Sequence, residues 1–248
     1  MLFAAIAVST VFVFNQSNPI LLDISTVLLP ALGIAWLVLG VYCVMQTGVR
    51  KDDRVSIVWF NFLLTAILWI MALFVFDMYP FIFGVITPTP SLSDVLEFAG
   101  YAPLLFGLLL QVWPFRSALF SRSMKGVMAL VAIISATILY LILPPFLRVS
   151  GDRLAVAVNA AYPVLDVVCL AIAIPILVLF IRGTFWRPFL CIVVGLIFLL
   201  AADVMSGEAI LSGTYFFGHP SDLIYIYGLL SGILGWHLRT RQFVTRSL

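Results

Sequence analysis

Residues 157–181 read AVNAAYPVLDVVCLAIAIPILVLFI. Asp166 is the only charged residue in that stretch. A bilayer core of about 30 Å needs roughly 20 apolar residues of helix, so the stretch can span one. Six further runs of this kind lie at about 26–46, 57–76, 94–113, 126–145, 187–206 and 222–240. Over its 248 residues the chain is 64% hydrophobic and 10% charged, with a mean hydropathy of +1.20. Soluble domains are about half apolar and about a quarter charged, so lipid must solvate much of this chain.

Closed β-barrels are the other structures that span membranes, but they need alternation of period two, and these unbroken runs lack it. Met1 to Phe14 is apolar but short, and it has neither a basic n-region nor a clear cleavage site. It reads as a short extra helix. The expected fold is therefore an all-α transmembrane bundle of seven helices plus this eighth, in one integral membrane domain over 1–248. Cys43, Cys169 and Cys191 all fall inside apolar runs and read as small buried hydrophobes.

Basic residues mark the cytoplasmic side of a membrane protein. The loops after runs 1, 3, 5 and 7 hold Arg50, Lys51, Arg54, Arg116, Arg122, Lys125, Arg182, Arg187, Arg239, Arg241 and Arg246. The opposite side has Arg148 and Arg153. The expectation is a multi-pass protein of the cell membrane with a cytoplasmic C-terminus. The acids are skewed the other way: Asp23, Asp77, Asp94, Glu97, Asp152, Asp166, Asp203, Glu208 and Asp222 fall in the outer half or outer loops.

The chain also repeats itself. Ser93-Asp94 is followed by Gly100 and Gly107, and Ser221-Asp222 by Gly228 and Gly235. Pro30 in LPALG matches Pro163 in YPVLD, and Asp77 matches Asp203. Runs 1–3 thus correspond to runs 5–7. The halves, about 1–114 and 125–242, are expected to be parallel tandem repeats, with the N-terminal short helix matching run 4.

A carboxyl in mid-helix is costly in lipid and should face the bundle interior. Asn159, Tyr162 and Asp166 recur at i, i+3 and i+7, which puts them on one helix face. Asp94, Glu97 and Tyr101 repeat that geometry on run 3. Asp203 lies towards the outer end of run 6, and Asp222 and Tyr225 stand one turn apart on run 7. These groups can converge on one outward-facing polar cavity. The expected ligand-binding set is Asp166, Asp203, Tyr162, Tyr225, Asp222, Asp94, Glu97 and Tyr101. Simpler roles compete. Asp94 and Asp222 follow serines at helix starts and suit capping. Asp77 and Glu208 suit the headgroup region. Asp166 also suits a structural bond to a tyrosine of a neighbouring helix.

Enzyme chemistry finds little support. His219 and His237 belong to opposite membrane faces and cannot share a metal. No phosphate-binding loop, nucleophile elbow or zinc-protease motif occurs. Lys51 and Lys125 are the only lysines, so run 7 lacks a Schiff-base lysine. No catalytic residue, metal or cofactor is expected, and the small net charge of +2 points to no nucleic acid.

The second half carries Tyr162-Pro163-x-x-Asp166, then Ala202-Asp203, then Gly213-x-Tyr215-x-x-Gly218-x-x-x-Asp222. This pattern resembles the polytopic N-terminal sensor region of prokaryotic signalling proteins with diguanylate cyclase, phosphodiesterase or histidine kinase outputs. The resemblance covers about residues 20–240. It implies detection of something at the outer face or in the membrane, and transmission of a conformational change inward. The partners it implies are the lipid bilayer, a small-molecule or lipid ligand, and a cytoplasmic signalling domain or partner protein. The intramembrane carboxyls and the repeat favour a rival reading, a proton- or cation-coupled transporter. A structural assembly subunit is a third.

Overall fold

The computed structural model describes residues 19–244 apart from 50, 51, 86, 150, 151, 182 and 184, with side chains over 27–242. The short helix expected over Met1 to Phe14 lies outside the described residues. Seven long helices follow in order: α1 Pro19–Thr47, α2 Arg54–Phe83, α3 Leu92–Val112, α4 Arg122–Arg148, α5 Arg153–Phe180, α6 Trp186–Leu211 and α7 Pro220–Val244. A 3-10 turn at Trp113–Phe115 and one helical turn at Arg116–Leu119 extend α3. No strand occurs among the described residues. Six of the seven helices are long and apolar enough to cross a membrane. The exception is α7, whose 25 residues include Asp222, His237, Arg239 and Arg241.

The helices outrun their apolar runs. Apolarity stops where hydrocarbon stops, but a helix continues until a cap or breaker ends it. Thus α2 runs past residue 76 to Phe83 and stops at Gly84, whose φ of 68° is left-handed and whose N–H donates to the Pro80 carbonyl at 2.8 Å. Likewise α6 continues to Leu211. Asp77 therefore sits within the wall of the bundle, not at a helix end where the apolar run places it. At helix starts, the Asp53 and Asp152 side chains accept N–H bonds from Val55 and Leu154 at 3.0 and 2.9 Å.

Six helices form a closed ring in the order α1, α2, α3, α5, α6, α7 and back to α1. The remaining helix, α4, lies outside the ring against α5 and, more lightly, α6. Only Met124, Val131 and Phe146 of α4 are buried. Its exposed Ile133, Tyr140, Leu141 and Leu147 form a face that suits hydrocarbon. The three cysteines are buried and free. Asp77, Asp94, Asp203 and Asp222 cluster at one end of the ring, here called the acidic end. Arg54, Arg187 and Arg239 mark the other, the basic end.

Close approach within the ring depends on glycine. On α3, Gly100 faces the Trp69 indole of α2, and Gly107 faces the Phe62 ring. On α7, Gly232 receives the Trp36 indole of α1, and Gly235 packs on Cys191 of α6. Trp69 cannot retreat freely, because its Nε1–H donates to the Glu97 carbonyl at 3.1 Å. A Cβ at Gly100 would overlap that indole. Gly100→Ala should therefore lower stability by about 1–3 kcal/mol, the usual result of overpacking. Thermal unfolding in detergent or nanodiscs checks this, and an unchanged midpoint would contradict the packing account.

Candidate functional site

At the acidic end the ring encloses a cavity of about 170 Å³. Five carboxyl residues line it: Asp77 of α2, Asp94 and Glu97 of α3, Asp203 of α6 and Asp222 of α7. No Lys, Arg or His is among its described lining residues. Thr87, Pro88 and Thr89, between α2 and α3, also line it, with Tyr215 and Phe217 from the loop before α7.

Phenols hold the carboxyls. Asp94 and Tyr101 on α3 face Tyr162 and Asp166 on α5 reciprocally. Tyr162 donates to Asp94 Oδ1 and Tyr101 donates to Asp166 Oδ1, each at 2.7 Å. The second oxygen of Asp94 accepts the Ser91 backbone N–H at 2.6 Å, so this residue both starts its helix and joins two helices. On the other side of the ring, Tyr225 of α7 donates to Asp203 Oδ1 of α6. With that phenol proton committed, the Ser206 hydroxyl is left to donate to the Tyr225 oxygen, 3.1 Å away. Tyr215 donates to Asp222 Oδ1 at 3.1 Å, and the Gly218 N–H donates to Asp222 Oδ2 at 2.9 Å. Burial, then the Asp222 carboxylate, pushes the Tyr215 phenol well above its ordinary range, so it remains a donor.

Asp166 and Asp203 each keep one buried oxygen, Oδ2, that has no hydrogen-bond partner. Glu97 and Asp77 also line the cavity. Asp77 is only 4% exposed, and its Oδ2 likewise has no hydrogen-bond partner.

Below this cavity a second, apolar chamber opens towards the basic end. Trp59 and Trp236 line it, along with Gly195, Gly228, Gly232 and Gly235. Trp36 and Trp69 border both spaces and stand with ring centroids 6.4 Å apart. Trp59 packs on Trp236 at 5.1 Å. The buried Arg239 guanidinium stacks on Trp59 and on Phe185, at 5.2 and 4.8 Å from their centroids.

Of the residues singled out from sequence, Asp94, Glu97, Tyr162, Asp203, Asp222 and Tyr225 line the cavity. Asp166 and Tyr101 do not: they lie behind the wall, 0% and 2% exposed, and tie α3 to α5. Asp77, Tyr215 and the four tryptophans are additions from the structure. A carboxyl at the end of an apolar run and tryptophans near run ends, such as Trp59 and Trp236, read as interfacial in sequence, and Trp36 and Trp69 inside their runs carry no mark of a cavity. Only the ring closure turns them inward. Glu208 is exposed and lies off the cavity. Among the described residues no three His, Cys, Asp or Glu are placed to share a metal ion.

Compared with known proteins, the chain matches no family model, no curated sequence and no solved structure.

The reciprocal α3–α5 bonds yield a measurable coupling. Tyr101→Phe and Asp166→Asn should each destabilise the bundle, and a double-mutant cycle should return a coupling of about 0.6–2 kcal/mol, the range for hydrogen bonds between membrane helices. Strictly additive losses in unfolding experiments would remove this bond from the account of the fold.

Proposed function

We propose that the chain is a membrane-embedded sensory module that binds a small ligand in the acidic-end cavity and passes a helix rearrangement to the basic end. The observation that carries this reading is the cavity itself, lined by five carboxyls and by residues of the acidic-end loops, with no basic residue among the described lining residues. Pockets for small molecules combine apolar walls with a few placed polar groups, and Trp36, Trp69, Leu199 and Leu229 supply the walls here. The strong bias of basic residues to one side supports a cavity on the outer side of the membrane and a cytoplasmic C-terminus. In this reading the protein resides in the cell membrane.

The route inward is α7. One continuous helix carries Asp222 and Tyr225 at the cavity and Arg239 at the basic end. A ligand that prefers one position of α7 over another shifts the packing of Arg239 on Trp59 and Phe185 by its differential affinity alone. A cytoplasmic signalling domain or partner protein would read that shift, in keeping with the resemblance to sensor regions.

We also propose that the two halves are tandem repeats. Exchanging α1, α2 and α3 with α5, α6 and α7 leaves the neighbour relations around the ring unchanged. The matched glycines behave alike, since Gly100 and Gly107 pack on α2 while Gly228 and Gly235 pack on α6. A coupled transporter is the second reading, favoured by one observation: the apolar chamber continues the cavity towards the basic end.

One experiment separates the two. The three native cysteines are buried, so single cysteines at the exposed Thr214 and Lys125 can be labelled selectively. In intact cells an impermeant maleimide should modify Thr214→Cys, and reach Lys125→Cys only after lysis. In proteoliposomes, a ligand that binds the cavity should change labelling of Thr240→Cys near Arg239 without itself accumulating in the lumen. Accumulation of the ligand would establish the transporter reading. Binding with neither effect would defeat the sensory one.

A further inference from the structure

We propose that the ligand of this cavity is a linear aliphatic polyamine with at least two protonated nitrogens. The proposal rests on the cavity being the ligand site and adds the chemical class that fits it. The first argument is charge. Five carboxyl residues and no basic one among the described lining residues favour a polycationic occupant over a single ammonium.

The second argument is an unanswered acceptor. Asp77 lines the cavity and is 4% exposed, and its buried Oδ2 has no hydrogen-bond partner. The other cavity aspartates are each engaged by a phenol, through Tyr162, Tyr225 and Tyr215. An orphaned buried carboxylate oxygen is costly, and an N–H donor from a ligand relieves it. A protonated amine supplies that donor. A quaternary ammonium does not.

The third argument is arrangement. The carboxyls come from four different helices around the cavity wall, α2, α3, α6 and α7. No three are placed to share one metal ion. Charges spread in this way suit a ligand whose cationic centres are separated by a methylene chain. The rest of the wall is largely aromatic and aliphatic, with Trp69, Leu73 and Phe76 of α2 in line. Such surfaces accept methylenes and also attract ammonium groups through the ring faces. One terminal nitrogen would bond Asp77 and the other would lie near Glu97.

The test uses the full chain in nanodiscs of zwitterionic lipid, which removes amine binding to anionic headgroups. Calorimetry measures binding of spermidine, 1,4-diaminobutane, butylamine, 1,4-butanediol and magnesium chloride. The expected result is that spermidine and the diamine bind about tenfold or more tightly than butylamine, the worth of a second charge-assisted contact. The diol and magnesium should not compete. Asp77→Asn keeps the side-chain volume and should bring the diamine to about the affinity of butylamine for the parent protein. Equal binding of butylamine and diamine, competition by magnesium, or an undiminished diamine affinity in Asp77→Asn would each overturn the polyamine assignment. Butylamine or magnesium binding without diamine preference would leave the cavity as a ligand site for another class. If the Asp77 variant fails to fold, the ratio of diamine to butylamine affinity in the parent protein still decides.

Discussion

A carboxylate at the centre of a membrane helix costs on the order of 2.5–3.5 kcal/mol on the insertion scale unless something answers its charge. This bundle buries Asp94, Asp166, Asp203 and Asp222 and answers each with a phenol. Tyrosine suits the task because it brings a hydrogen-bond donor on an apolar body and adds no charge of its own. The consequence is architectural. Two of the four bonds join α3 to α5, which with α7–α1 is one of the two contacts that link the first three helices to the last three. A third joins α6 to α7, and the fourth ties the loop before α7 to the start of that helix. The phenol–carboxyl bonds therefore hold one of the two seams of the ring, beside the cavity.

Glycine governs how tightly the same ring packs. Trp36 and Trp69 reach the interior because Gly232 and Gly100 leave room for their indoles. The Trp69 N–H, bonded to the Glu97 carbonyl, then fixes its ring where it borders both chambers. Lipid gives helices no hydrophobic reason to associate with one another, so close backbone approach and interhelical hydrogen bonds must do so. Both are concentrated on α2–α3 and α6–α7. The lone outer helix, α4, has little of either and buries only three side chains.

Much of this was legible in the chain. Each of the seven apolar runs contains most of one observed helix, since 20 apolar residues in succession have no other stable form in lipid. The i, i+3, i+7 stripe of Asn159, Tyr162 and Asp166 places those three on one face, and all three are buried. Helix ends were less legible, because the extension of α2 to Phe83 depends on a left-handed glycine beyond the apolar run. Asp77 illustrates the difficulty. Hydropathy places it at a membrane surface, whereas the continuing helix and the neighbouring α7 put it in a cavity wall.

What the sequence determined by itself is the solvent and the secondary structure: a chain that lipid must surround, in apolar helices with acids gathered at one end and bases at the other. These are local and compositional properties, decided by transfer free energies and helix length. Only the tertiary structure decided which acid meets which tyrosine, that Asp166 lies behind the wall while Asp77 lines it, and that four tryptophans line the apolar chamber. Helical periodicity fixes a side chain's direction about its own axis, but not which neighbour stands there. That is settled by the order of helices around the ring, where glycines permit contact and phenols complete it.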